Sequence, residues 1–292
     1  MKTSLDCVPC FFTQALEAGR LAGASKATQK RIVERLTKAI LKFSLKSPPP
    51  LMGRTLYKIV IEETKNKDPF YKVKQKSNKL ALKIYPKLKK KVEQAKDRFL
   101  VAVELAIAGN IIDYGLSSSL DVEKELKSFL KGNFNIDHKQ KKGIFSYHKF
   151  KKDIKAAKTI LYIGDNAGEI VFDRVLIEEI KRSWPDKQIV YAVRGKPIIN
   201  DVLIEDAKVC GIDKSAKIVS SGSDAPGIIF KFCTPSFSKL FKKSDLVISK
   251  GQGNYEALSE NKRPIYFLFR AKCPVAARDI GSGLGDVILK CS

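Results

Sequence analysis

The feature that most narrows the possible folds is a change of rhythm at Ala157. Beyond it, short β-rich runs alternate with stretches mostly long enough for a helix. The runs are T-I-L-Y-I (Thr159–Ile163), Q-I-V-Y-A-V (Gln188–Val193), A-K-I-V-S (Ala216–Ser220), D-L-V-I-S (Asp245–Ser249) and P-I-Y-F-L-F (Pro264–Phe269). Parallel strands need crossover connections, so this alternation predicts an α/β fold with a parallel sheet and helices on both faces. In such sheets the ligand crevice lies beyond the carboxyl ends of the strands. The residues to inspect are therefore those just after each run.

The first half reads as helices. Apolar residues recur at three- and four-residue spacing over Cys10–Ala22, Lys30–Phe43, Leu51–Thr64, Ser77–Ile84 and Val92–Ile107. The run S-P-P-P (Ser47–Pro50) interrupts the pattern. Long charged helices with short breaks predict a helical cap or bundle. The expected division is a helical N-terminal region over 1–150 and an α/β domain over 151–292, with the junction in the polar segment Lys131–Lys152.

Composition removes several classes. A chain of 292 residues, 44% hydrophobic and 29% charged, suits a globular protein. No apolar run reaches the ~18 residues of a membrane span, and the start M-K-T-S-L-D-C-V-P-C lacks the apolar block of a secretory signal. A cytoplasmic location is the expectation. The formal charge of +24 would draw in nucleic acid or an anionic substrate. The basic residues are widely spread, dense only in Tyr71–Arg98, and lack interleaved aromatics for base stacking. A lysine-rich solvated surface explains them, so nucleic acid is not the expected partner, whereas a small phosphorylated metabolite is. Of six cysteines only Cys7 and Cys10 form a C-x-x-C pair. No second pair completes a zinc site, and a thioredoxin-like motif would follow a strand. A disulfide or plain packing is expected there.

The strand ends carry the chemistry. After the first run comes G-D-N-A-G-E (Gly164–Glu169), neither G-x-G-x-x-G nor a P-loop. Asp165 and Asn166 offer hard oxygen ligands, or else cap the next helix; Glu169, expected among the substrate-binding residues, sits where a helix dipole favours negative charge. After the second run, V-R-G-K-P-I-I-N-D (Val193–Asp201) supplies the cations Arg194 and Lys196 and a further acid, Asp201. After the third, S-S-G-S-D-A-P-G (Ser220–Gly227) offers Ser221, in what is otherwise an ordinary turn. After the fourth, S-K-G-Q-G-N-Y-E-A-L (Ser249–Leu258) places Lys250 among glycines as a phosphate clamp, and Asn254 at a helix start. If Asp165, Asn166 and Asp201 hold Mg²⁺ or Mn²⁺, the cation reverses the local sign and a phosphate binds through it, with Arg194 or Lys250 neutralising the remaining charge. That set suits phosphoryl transfer to water. His138 and His148 lie outside these loops, and G-x-S-x-G is absent.

Taken in order, these four motifs resemble the metal-dependent damage-control phosphatases, also called the domain of unknown function 89 family. A-I-A-G-N-I-I-D-Y-G (Ala106–Gly115) and the N-terminal C-x-x-C are similar to that family's archaeal-type members. The resemblance implies an α/β/α sandwich bearing an N-terminal helical region, and hydrolysis of damaged or surplus phosphate esters such as sugar phosphates. It implies a divalent metal (Mn²⁺, Mg²⁺, Ni²⁺ or Co²⁺) on Asp165, Asn166 and Asp201, with Lys250 on the phosphate and Asn110 and Asp113 facing the same cleft. Two routes fit: water attacking in line with Asp113 or Asp201 orienting it, or Asp165 as nucleophile. The competing readings are an S-adenosylmethionine-dependent carboxyl methyltransferase and a basic nucleic-acid-binding protein. The first leaves the Asp-Asn pair and the cations unexplained; the second predicts steeply salt-dependent affinity for random duplexes.

Overall fold

The computed structural model describes residues 1–109 and 144–292. Its centre is a six-stranded sheet of β1 (Thr159–Ile163), β2 (Gln188–Val193), β3 (Lys217–Ser220), β4 (Leu246–Lys250), β5 (Tyr266–Arg270) and β6 (Val287–Cys291), in the order β3-β2-β1-β4-β5-β6. The first five strands run parallel, and β6 is antiparallel to β5 with Leu268 opposite Leu289. The chain winds outward from β1 to β3, then returns to β4 on β1's other side. The switch point between β1 and β4 is where such sheets open a crevice.

Alternation along β1 shows why the sheet is covered on both faces. Ile160 and Tyr162 enter one core, Leu161 and Ile163 the other. The first core is closed by α4 (Tyr71–Glu93), α5 (Arg98–Ala108), α6 (Tyr147–Ala156) and α7 (Glu169–Ser183), through Leu88, Phe99, Phe150 and Phe172. The second is closed by α9 (Pro235–Lys243), α10 (Gln252–Leu258) and α11 (Pro274–Ile280), through Phe237, Phe241, Tyr255 and Ile280. Each such side chain contributes roughly 1.5–3 kcal/mol by leaving water. The result is the expected three-layer α/β/α sandwich. A short α8 (Ile204–Val209) follows β2.

The remaining helices, α1 (Cys7–Leu21), α2 (Lys26–Ile40) and α3 (Pro49–Thr64), build a third core from Phe11, Ile32, Leu36, Leu56 and Val60, joined by Ile198 from the loop after β2. Pro49 and Pro50 open α3, where their missing N–H groups forfeit no helical bond. Two sequence boundaries differ. Ser77–Ile84 is the middle of one 23-residue helix that tolerates Pro86 on its exposed side. Val92 lies in the last turn of that helix, which ends at Glu93, and a separate helix, α5, starts after Asp97, which accepts a hydrogen bond from Leu100 N. From the N-terminal part, α4 and α5 pack on α7 and share its core. The segment Lys131–Lys152 lies partly outside the described residues. No helix among the described residues is long and apolar enough to cross a membrane.

Candidate active site

Two loops leaving neighbouring strands are stitched together at the switch point. Ala167 N donates to Asn200 O (2.8 Å), Val202 N to Asp165 O (2.8 Å) and Arg194 N to Val202 O (3.0 Å), and Asn166 forms an antiparallel bridge with Asp201. These bonds set Asp165, Asn166 and Asp201 side by side, 7%, 5% and 3% exposed. Asn166 Nδ2 donates to Asp165 Oδ2 (3.1 Å), so its carbonyl oxygen is the end left for a cation. Arg194 lies behind both carboxylates, with Nε 2.5 Å from Asp201 Oδ2 and Nη2 3.6 Å from Asp165 Oδ1. Its Nη2 also donates to Asn254 Oδ1 (3.1 Å), while its buried Nη1 has no hydrogen-bond partner among the described residues. Leaving a buried N–H unpaired costs about 1–3 kcal/mol.

Helix capping does not account for these residues. The N-cap of α7 is Gly168 (φ 83°), with no side-chain hydrogen bond, and its N–H donates to Asn78 Oδ1 on α4 (2.8 Å). Asp201 lies outside α8, whose N-cap is Leu203. Ile199 adopts φ 43°, an outlier for a β-branched residue, beside Asn200 and Asp201. Gly251 (φ 80°) presses on the site from the β4 side: a Cβ there would lie 1.8 Å from Asp165 Oδ2.

Lys250 and Glu169 depart from the expectation that they meet substrate phosphate. Lys250 is fully buried, and its three protons go to Glu169 Oε1 (2.5 Å), Asp173 Oδ1 (2.6 Å) and Ala106 O (2.7 Å). Asp173 also accepts from Tyr162 OH (2.7 Å) and Tyr191 OH (2.8 Å). Burial lowers the Lys250 pKa, but Asp173 and Glu169 outweigh it and hold the ammonium above its ordinary value. Burial raises the Glu169 carboxyl against the pull of Lys250. Burial, aided by Asp173, drives both phenols well above their usual range. This ionic group forms a floor under the loops; Gly164 fits over it because any Cβ would lie 2.3 Å from Tyr191 OH.

Asn254 and Ser221 are structural ties. Asn254 accepts from Arg194 and Ile228 N and donates to Gly164 O and Lys250 O, which uses its whole hydrogen-bonding capacity. Ser221 Oγ accepts from Ser223 N (3.3 Å) inside the Ser220–Gly227 loop. That loop receives α3: Arg54 grips Asp224 (2.5 and 2.9 Å), and Gly53 lets Pro226 approach. Lys196 is exposed. Asn110 and Asp113 lie outside the described residues.

A cavity of about 590 Å³ opens in front of Asp165, Asn166 and Asp201, within the range of metabolite pockets. Its apolar wall comes from Phe11, Pro50, Tyr57 and Phe70, its other side from Gln252, Lys272 and Cys273. Cys7 and Cys10 also line it, which sequence reasoning missed because it sought partners for them along the chain. Among the described residues no three His, Cys, Asp or Glu side chains gather as a metal cluster. Two carboxylates and an amide are nonetheless a hard donor set that suits Mg²⁺ or Mn²⁺, ions that keep several waters.

The model of the damage-control phosphatase ARMT1-like domain matches residues 3–288. The chain is 38% identical to the protein MJ0202 of Methanocaldococcus jannaschii, over 99% of this chain and 95% of that one. It is 35% identical to the damage-control phosphatase PH1575 of Pyrococcus horikoshii, over 99% and 97%. Its fold is similar to the crystal structure of a DUF89 family protein from Pyrococcus horikoshii, with a TM-score of 0.85, 32% identity and 99% coverage of both chains. The chain belongs to the damage-control phosphatase ARMT1-like family.

Proposed function

We propose that the chain hydrolyses phosphate monoesters of small metabolites, sugar phosphates among them, with a divalent cation held by Asp165, Asn166 and Asp201. The observation that carries the reading is the joining of the loops after β1 and β2, which brings two carboxylates and an amide onto one wall of the cavity. The relatives' names support it: among them are damage-control phosphatases from Pyrococcus horikoshii and Archaeoglobus fulgidus. A cation bound there neutralises phosphate charge and polarises the phosphorus–oxygen bonds.

The chain's own groups do the rest. Arg194 pins Asp201 at 2.5 Å and stands farther from Asp165, at 3.6 Å. Asp201 is thus the fixed carboxylate, and Asp165, closest to the turn after β4, is the one that meets the reacting phosphate. Arg194, wholly buried behind the two acids, offsets part of their charge and holds them in place. Phe11, Tyr57 and Phe70 hold the organic part and exclude water. The test is p-nitrophenyl phosphate hydrolysis after chelation and again after adding Mn²⁺. Activity is expected to vanish and return, and Asp165→Asn to abolish it. Turnover that persists in chelator, or an unchanged Asp165→Asn rate at saturating metal, overturns the proposal.

A further inference from the structure

Three of the six cysteines meet on the cavity wall, away from the acidic residues' own loops. Cys7 and Cys10 occupy the first turn of α1, and Cys273 is the N-cap of α11. Cys7 is buried, Cys10 is exposed, and all six thiols are free. Residues three apart on a helix have Cα atoms about 5 Å apart, inside the span that a disulfide bridges. Pro9 between them lies in the first turn, where its missing N–H forfeits no bond. The sulfurs are held by polar neighbours: Gln14 Nε2 donates to Cys10 Sγ (3.0 Å) and Gln252 Nε2 to Cys273 Sγ (3.2 Å). Burial raises the Cys7 and Cys10 pKa values, and the nearby Cys273 raises both further. The described residues form no metal cluster, so the trio is not a preformed zinc site.

We propose that Cys7 and Cys10 are a thiol–disulfide exchange site built into the wall of the cleft, with a low-molecular-weight disulfide as oxidant. Cys10, the exposed thiol, loses its proton and attacks one sulfur of the disulfide. The S–S bond breaks, and the first small thiol leaves with a proton. Cys7 then attacks the Cys10 sulfur, and the second small thiol leaves with the proton from Cys7. Two protein thiols are oxidised to one disulfide, and one small disulfide is reduced to two thiols. The mixed disulfide places a bulky group in the cleft until Cys7 displaces it, so access is blocked for as long as Cys10 carries the adduct. The exchange itself is independent of the phosphatase proposal; only its effect on turnover rests on that reading.

The test treats the full native chain with oxidised glutathione, blocks remaining thiols with iodoacetamide and maps peptides by mass. The expected result is the loss of two alkylatable thiols per chain and a linked Cys7–Cys10 peptide, reversed by dithiothreitol. Cys7→Ser is expected to stop at a glutathione adduct on Cys10 and lose most of its p-nitrophenyl phosphate turnover until reduced. In Cys10→Ser the ratio of oxidised to reduced rate should return to one. Six alkylated thiols after treatment, oxidation confined to Cys233 or Cys291, or a link from Cys10 to Cys273 overturns the proposal. A linked Cys7–Cys10 peptide in a protein that hydrolyses no phosphate ester refutes the phosphatase reading alone.

Discussion

Replacing Gly251 by alanine tests the site with an atom added to the opposite strand end. Gly251 has φ 80° and ψ 156°, a region essentially closed to residues with a Cβ, so alanine costs about 1–3 kcal/mol before any contact. The new methyl would start 1.8 Å from Asp165 Oδ2, closer than any real Cβ contact. Either the carboxylate or the turn must retreat by more than about 1 Å, and a misplacement of about that size costs about 10²-fold in rate. The expected outcome is a kcat for p-nitrophenyl phosphate lowered about 10²-fold or more. Tm should fall by roughly 2–12 °C, from about 2–4 °C per kcal/mol in chains of comparable size. Gly281→Ala is the control. Its φ of 78° carries a backbone strain of about 1–2 kcal/mol, but nothing lies within 4 Å of its Cβ, so Tm should fall while kcat holds. A parent-like kcat for Gly251→Ala at saturating Mn²⁺ would refute the reasoning, because Asp165 would then be free to move without consequence.

Lys250→Met strands the carboxylates of Glu169 and Asp173 in the core and should cost about 3–5 kcal/mol, read as a Tm loss of roughly 10 °C or more; a shift within about 2 °C contradicts the pairing. Glu256, half-buried on the cavity wall, has its carboxyl raised to about 7 by burial, opposed by Gln252 and the amino terminus and aided by Asp279. A raised folded pKa contributes stability below the unfolded value and loses it as pH rises through 7, so Tm should decline between pH 5 and 8. Glu256→Gln should flatten that decline, and an unchanged slope counts against the assignment. Asp201→Asn removes the carboxylate that Arg194 fixes, and Mn²⁺ titration by calorimetry should show weaker binding; parent-like affinity excludes Asp201 as a ligand.

The fold was legible where strands are buried on both faces. The runs of β1, β2, β4 and β5 read as β-rich because both sides of each strand enter a core. The strand V-I-L-K-C of β6 went unread: it is short, and its antiparallel pairing to β5 needs no crossover helix to announce it. Pro86 and the surrounding lysines hid the length of α4, since helix-breaking residues are tolerated on a solvated face. That Asp165, Asn166 and Asp201 lie together on the cavity wall could be anticipated because the carboxyl end of a strand is a fixed address. The partners of Lys250 were not anticipated, although a signal existed: Glu169 and Asp173 are one turn apart on the otherwise apolar stretch E-I-V-F-D, and carboxylates on a core-facing stripe require a buried cation.

That buried cation explains why a lysine at the end of a central strand serves the site without facing it. Lys250 is the last residue of β4, next to Gly251, whose closeness to Asp165 leaves no room for a side chain. Anchoring the ammonium to α7 through two carboxylates, and to α5 through Ala106 O, fixes where β4 ends relative to the helix that follows β1. Asn254 then joins the backbone of Lys250 to that of Gly164, and its carbonyl orients Arg194 behind Asp165 and Asp201. The strand ends on either side of the switch point are thus tied to a single ionic floor. Loops in a parallel sheet are otherwise its most mobile parts, and two neighbouring carboxylates repel one another. The floor resists that repulsion from below and Arg194 from behind, so the two acids stay together.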